Sequence, residues 1–138
     1  MQIRFGGETY RKMKYDETQL QVMLARWLDS KNIFYFASLA GVNLGARVGG
    51  MRKRMGCKAG VHDLIILVPR GKYHGMTLEL KIEGGDATKN QIEFRERATT
   101  QGYYSVIMPV TMRFQEAFDW AVKEIEAYLR LGVKCEKS

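Results

Sequence analysis

The sequence predicts an α/β domain, a single mixed β-sheet of about four strands flanked by helices. Three observations carry this. The run DLIILV, residues 63–68, is continuously apolar and of strand length, and after a turn MTLELKI, residues 76–82, alternates strictly. A T-x-x-Q capping box at Thr88 and Gln91 then opens a helix that Gly102 can close, and YYSVIM follows as a further strand. Near each end of the chain, apolar residues recur with the 3.6 period of a one-sided helix.

The elements follow in order. Residues 1–15 are mixed and carry no pattern. Asp16 and Gln19 read as a D-x-x-Q capping box, and Leu20, Met23, Leu24, Trp27 and Leu28 form the buried face of the helix it starts. IFYFAS, residues 33–38, is the first predicted strand, and one short helix is predicted near Arg47 to Met55 within the glycine-rich stretch 41–60. In MTLELKI, Met76, Leu78, Leu80 and Ile82 face one way and Thr77, Glu79 and Lys81 the other. The short link between the middle strands makes them antiparallel, and the helical crossover makes the last strand parallel to its neighbour. Thr111 can cap a final helix whose core stripe is Phe114, Ala117, Phe118, Ala121, Ile125 and Tyr128.

The chain has 138 residues, 46% hydrophobic and 27% charged, which suits one packed domain (residues 1–138, core about 16–131) and argues against disorder. No apolar run is long enough to span a bilayer, and the N-terminus lacks the apolar stretch of a signal peptide. A cytoplasmic protein with no membrane partner is therefore expected. Cys57 and Cys135, with His62 and His74, make no recognisable zinc cluster. The net charge is +7, and its placement is informative. No acidic residue falls between Asp29 and Asp63, while Lys31, Arg47, Arg52, Lys53, Arg54 and Lys58 all do. A patch of one sign attracts a polyanion, and the phosphate backbone of nucleic acid is the usual one.

Asp63, Glu79 and Lys81 raise the question of chemistry. Glu79 and Lys81 lie at i and i+2 of one strand, hence on one face. Counting back from a turn at 69–75 sets Asp63 opposite Lys81 or Ile82, at the same end of the hairpin. Two carboxylates and an ammonium then converge. Hard oxygen ligands of this kind suit Mg²⁺ or Mn²⁺, which activates water and polarises a phosphoryl oxygen. An E-x-K pair on an alternating strand is equally the pattern of a solvated ion pair worth under about 1 kcal/mol.

The order of parts distinguishes the two. ETQLQVMLARWL, KAGVHDLIILVPRGKYHGMTLELK, GGDATKNQ, QGYYSVIM and EAFDWAVKEIEAYL, running from about Asp16 to Leu131, together resemble the VRR-NUC (virus-type replication-repair nuclease) domain of the PD-(D/E)XK nuclease superfamily. The form resembled is the stand-alone phage type. The resemblance implies a restriction-endonuclease-like αβββαβ core. It implies catalytic roles for Asp63, Glu79, Lys81 and Gln91, with Glu17, Asp63 and Glu79 as ligands of Mg²⁺ or Mn²⁺. It further implies a structure-selective DNA endonuclease acting on branched DNA such as four-way (Holliday) junctions, a homodimer, and a bacterial host cell. Arg47, Arg52, Lys53, Arg54 and Lys58 are the expected DNA contacts. Gln21 is a weaker candidate on the Glu17 side of the first helix. Two features sit awkwardly. His62 stands where the family pattern has proline, so it either touches metal or phosphate or is incidental. Gln91 has two claims on it, the capping box and the site, and one amide is not expected to meet both in full. The rivals are a non-catalytic nucleic-acid-binding module of the same shape, and an assembly protein whose basic loop meets an acidic partner.

Overall fold

The computed structural model describes residues 3–5, 8–10, 17–39, 45–82, 85–110 and 113–133. In chain order the elements are β1 (Ile3–Phe5), β2 (Glu8–Tyr10), α1 (Glu17–Ser30), β3 (Tyr35–Ala37), α2 (Ala46–Arg54), β4 (Leu64–Ile66), β5 (Met76–Glu79), α3 (Lys89–Thr100), β6 (Tyr104–Ile107) and α4 (Phe114–Leu129). The predicted architecture is present. A four-stranded sheet runs β3-β4-β5-β6, antiparallel at its first two pairings and parallel at the third, where α3 forms the crossover.

Each face of the sheet is decided by the alternation in β4 and β5. Leu64 pairs with Leu78 and Ile66 with Met76, and these four are fully buried in one cluster with Leu20, Leu24 and Leu28 of α1 and Ala117, Ala121, Ile125 and Tyr128 of α4. Met23 and Trp27, expected in that stripe, sit at its edge and are half-buried. The 100° step per residue carries a broad stripe past the contact line. The opposite face carries Ile65 paired with Thr77 and is covered by α3, which packs on β5 and β6.

Thr77, Glu79 and Lys81 are therefore not a solvated face: they are 3%, 2% and 5% exposed. Charged side chains at such burial are costly unless paired or ligated, so the exposed ion-pair alternative fails on burial alone.

Other differences have local causes. Two short strands, β1 and β2, pair antiparallel in a stretch that shows no alternation long enough to read. The predicted caps Asp16 and Thr111 lie outside the described residues. At the start of α4, Glu116 instead accepts the N–H of Arg113 at 3.3 Å. Gly102 closes α3 as expected, with φ of +91° that an L side chain rarely adopts. Among the described residues no helix is long and apolar enough to cross a membrane.

Candidate active site

Asp63 immediately precedes β4, and carrying the observed register one pair further sets it opposite Glu79. That corrects the expected partner, Lys81 or Ile82. The strands separate earlier than the apolar run suggests. Leu67 and Val68 belong to the connection, which is tightened by an Arg70–Tyr73 bridge and tied down by the Tyr128 hydroxyl on the Val68 carbonyl at 2.6 Å. Against the Lys81 alternative the register moves by two residues, an even number, so every side chain keeps its side of the sheet; the Ile82 alternative is three residues off and would have put Asp63 on the other face. Asp63 and Glu79 thus share a face, the one covered by α3.

The contacts follow from that pairing. Asp63 Oδ2 accepts the backbone N–H of Leu80 at 2.8 Å. Glu79 Oε1 receives the Gln91 side-chain amide at 2.5 Å and lies 3.5 Å from Lys81 Nζ. Among the described residues, Glu79 Oε2 is buried with no hydrogen-bond partner. Glu17, first residue of α1, lies close to Gly85 and Lys81. A Cβ placed on Gly85 would meet Glu17 Oε1 at 3.0 Å and Lys81 Cδ at 3.9 Å.

Gln91 meets both of its claims, contrary to expectation. Its carbonyl oxygen accepts the Thr88 N–H at 2.9 Å while its NH₂ donates to Glu79. The amide has an acceptor end and a donor end, and the two roles use different ends. Thr88 Oγ1 returns the cap by accepting the Gln91 N–H at 3.2 Å.

The electrostatics reflect three carboxylates and one ammonium in a dry setting. Burial, then the neighbouring Asp63, raises the Glu79 carboxyl to about 8, against a smaller lowering by Lys81. Burial also raises Asp63, which the Leu80 N–H partly offsets and Glu17 reinforces. Among the described residues, no three His, Cys, Asp or Glu side chains are close enough to form a ready-made metal cage. What is present is a pair of facing carboxylates, one with an orphan oxygen, and a third carboxylate whose charge both of them feel. That donor set fits a hard divalent cation, whose charge would replace the missing partner of Oε2.

His62 does not face solvent. It is fully buried, with Nδ1 at 3.0 Å from Thr77 Oγ1 and Nε2 at 3.1 Å from the Gln91 carbonyl, and its ring lies 4.7 Å from that of Phe94. Burial lowers its pKa to about 4. Gly60, two residues earlier, approaches the same turn of α3 so closely that a Cβ there would lie 2.4 Å from the Asn90 carbonyl carbon, at φ of +82°. Thr77 and Ser105 were not singled out as site residues. The available signal was that Thr77 shares a face with Glu79 and Lys81.

The basic residues divide in two. Arg47, Arg52, Lys53 and Arg54 belong to α2, which has no buried residue, and Arg52 donates to the Leu39 carbonyl at 3.4 Å. Lys58 lies beyond the helix, exposed, on the wall of a groove of about 710 Å³ between α3 and β4 that also includes Asn90, Phe94 and Arg97.

A mixed sheet with helices on both faces, presenting Asp just before one strand and E-x-K at the end of its antiparallel neighbour, has the plan of a PD-(D/E)XK nuclease. More particularly, the chain has the VRR-NUC fold. It superposes on a solved structure described as a VRR_NUC domain protein with a TM-score of 0.70 and 28% sequence identity, over 86% of this chain and 92% of that one. No family model and no curated protein matches the sequence.

Proposed function

We propose that the protein is a divalent-metal-dependent DNA endonuclease, working as one domain with its core at about 16–131, that hydrolyses phosphodiester bonds in branched DNA such as four-way junctions. The observation that carries the reading is Glu79. It is a buried carboxylate facing Asp63, sharing Lys81, and holding one oxygen without a partner. A fold has no structural reason to assemble such a site, since it costs stability.

Asp63 and Glu79 would hold Mg²⁺ or Mn²⁺, with Glu17 assisting from α1. The bound cation supplies Lewis acidity to the attacking water and to the phosphoryl oxygen. Lys81 places a positive charge beside the carboxylates, where it can stabilise the negative charge that grows on the phosphate during attack. Gln91 fixes the Glu79 carboxylate through Oε1, which leaves Oε2 as the free donor. Arg47, Arg52, Lys53, Arg54 and Lys58 guide the DNA backbone, and the exposure of α2 suits that use. A homodimer with two-fold symmetry would cut the two related strands of a junction, and a phage protein of this kind would act in a bacterial cytoplasm.

The test is cleavage of labelled four-way junction, flap and linear duplex DNA, with Mg²⁺, with Mn²⁺ and with chelator. Metal-dependent cutting, fastest on branched DNA and absent in Asp63→Ala and Lys81→Ala, is the expected result. Salt-sensitive binding without any cutting would instead mark a non-catalytic binding module, and equal cutting of all substrates would remove the structure selectivity.

A further inference from the structure

Behind the proposed metal site runs a chain of polar groups whose middle members, His62 and Thr77, are buried. The Gln91 backbone carbonyl can only accept a hydrogen bond, so His62 Nε2, 3.1 Å away, carries a proton. In a neutral ring Nδ1 then has a lone pair, and it accepts from the Thr77 hydroxyl at 3.0 Å. Having given its only proton to His62, Thr77 Oγ1 accepts from the Ser105 hydroxyl at 2.5 Å. The chain runs from Ser105 on β6 through Thr77 on β5 to His62 and into the first turn of α3.

The chain ends on the residue that clamps Glu79. The Gln91 backbone is held at its carbonyl by His62 and at its N–H by Thr88, and its side-chain oxygen is held by the Thr88 N–H. With those three points fixed, the remaining amide protons point at Glu79 Oε1. Gly60 presses the segment before His62 against Asn90, so the strut is short and has little room to yield.

We infer that His62 is a positioning residue: it locks the first turn of α3 to the sheet, so that the Gln91 amide orients Glu79 to present Oε2 to a divalent cation. This rests on the metal-site reading above. A direct hydrogen-bond partner of a metal ligand typically changes metal affinity by about ten- to a hundredfold when lost, and His62 acts one bond further out, through Gln91.

The test measures the Mn²⁺ dissociation constant by titration calorimetry on the metal-free full chain, alongside cleavage kinetics and thermal melting. His62→Leu is expected to weaken Mn²⁺ several-fold, up to about tenfold, and to lower kcat, with KM for DNA unchanged. His62→Gln, which keeps an N–H able to reach the Gln91 carbonyl, is expected to restore most of the affinity. In a Gln91→Ala background the effect of His62→Leu should vanish, because its route to Glu79 is already cut. If His62→Leu does not fold, Thr77→Val removes the donor that orients the imidazole and should move Mn²⁺ affinity in the same direction. A lower melting temperature with unchanged Mn²⁺ affinity would reduce His62 to a packing role and overturn the inference. So would a loss that persists undiminished in the Gln91→Ala background. A wild-type chain that binds no Mn²⁺, or binds it equally well as Asp63→Asn, would overturn the metal site itself.

Discussion

Glu79→Gln tests whether the site is stored electrostatic strain. Burial and Asp63 raise the Glu79 carboxyl to about 8, from an ordinary value of 4.5. The folded protein therefore holds a proton that the unfolded chain releases once pH passes the ordinary value. Stability must then be fullest below pH 4.5 and fall as pH rises towards 8, levelling off above it. The difference, roughly 3.5 pH units at about 1.36 kcal/mol each, sets a ceiling of about 5 kcal/mol for the metal-free protein. Relaxation around the site makes the realised loss smaller. Glutamine has the shape of the protonated acid and does not titrate. In chelator, urea unfolding from pH 5 to 9 should show wild type losing several kcal/mol and Glu79→Gln only the smaller part due to Asp63. The variant should be the more stable protein at pH 8 and nearly equal at pH 5. Parallel pH profiles for the two proteins would refute the argument. Mn²⁺ selects the ionised carboxylates, so its melting shift in wild type should grow across the same pH window.

Three further outcomes are expected. Lys81→Met should keep the fold, because its stem lies among buried neighbours, yet lower metal-dependent cleavage by about a hundredfold or more at saturating DNA; a rate within a few-fold of wild type would remove Lys81 from the reaction. Gly60→Ala should destabilise by about 2 kcal/mol or more in urea unfolding, since it adds a clash with Asn90 to a strained φ. An effect below about 0.5 kcal/mol would show that the α3 contact gives easily. Replacing Arg52, Lys53 and Arg54 together by alanine should weaken duplex binding in chelator and flatten the dependence of log K on log salt by about 2 to 3, and an unchanged slope would place the DNA elsewhere.

The order of elements and the converging trio were legible because both depend on local periodicity. Alternation in 76–82 sets Glu79 and Lys81 on one face whatever their surroundings, and the observed pairing, two residues from the Lys81 alternative, leaves Asp63 on that face. The register itself was not legible. It depends on Leu67 and Val68 leaving the ladder, and what draws Val68 away is Tyr128, sixty residues along the chain. His62 was opaque for the same reason. Beside a predicted carboxylate ligand, a histidine reads as a further ligand, and only the placement of α3 shows that both its nitrogens are already taken. The two duties of Gln91 appeared to conflict because a sequence motif assigns a whole residue to a role, whereas hydrogen bonds assign single atoms.

The bond from Leu80 to Asp63 connects the fold to the chemistry. A backbone N–H just past the end of β5 would ordinarily extend the ladder, but here it goes to a side-chain oxygen, and the strand stops at Glu79. The same bond favours the ionised form of Asp63, while Glu79 has no comparable backbone donor and an oxygen with nothing at all. Facing carboxylates in unequal settings ionise in sequence, Asp63 before Glu79. A cation arriving near neutral pH thus meets one charge already in place and displaces a proton to create the second. Mn²⁺ binding measured in buffers of different ionisation enthalpy should accordingly release close to one proton at pH 7 in wild type and almost none in Glu79→Gln. Equal release from both proteins would mean that the proton comes from a group other than Glu79.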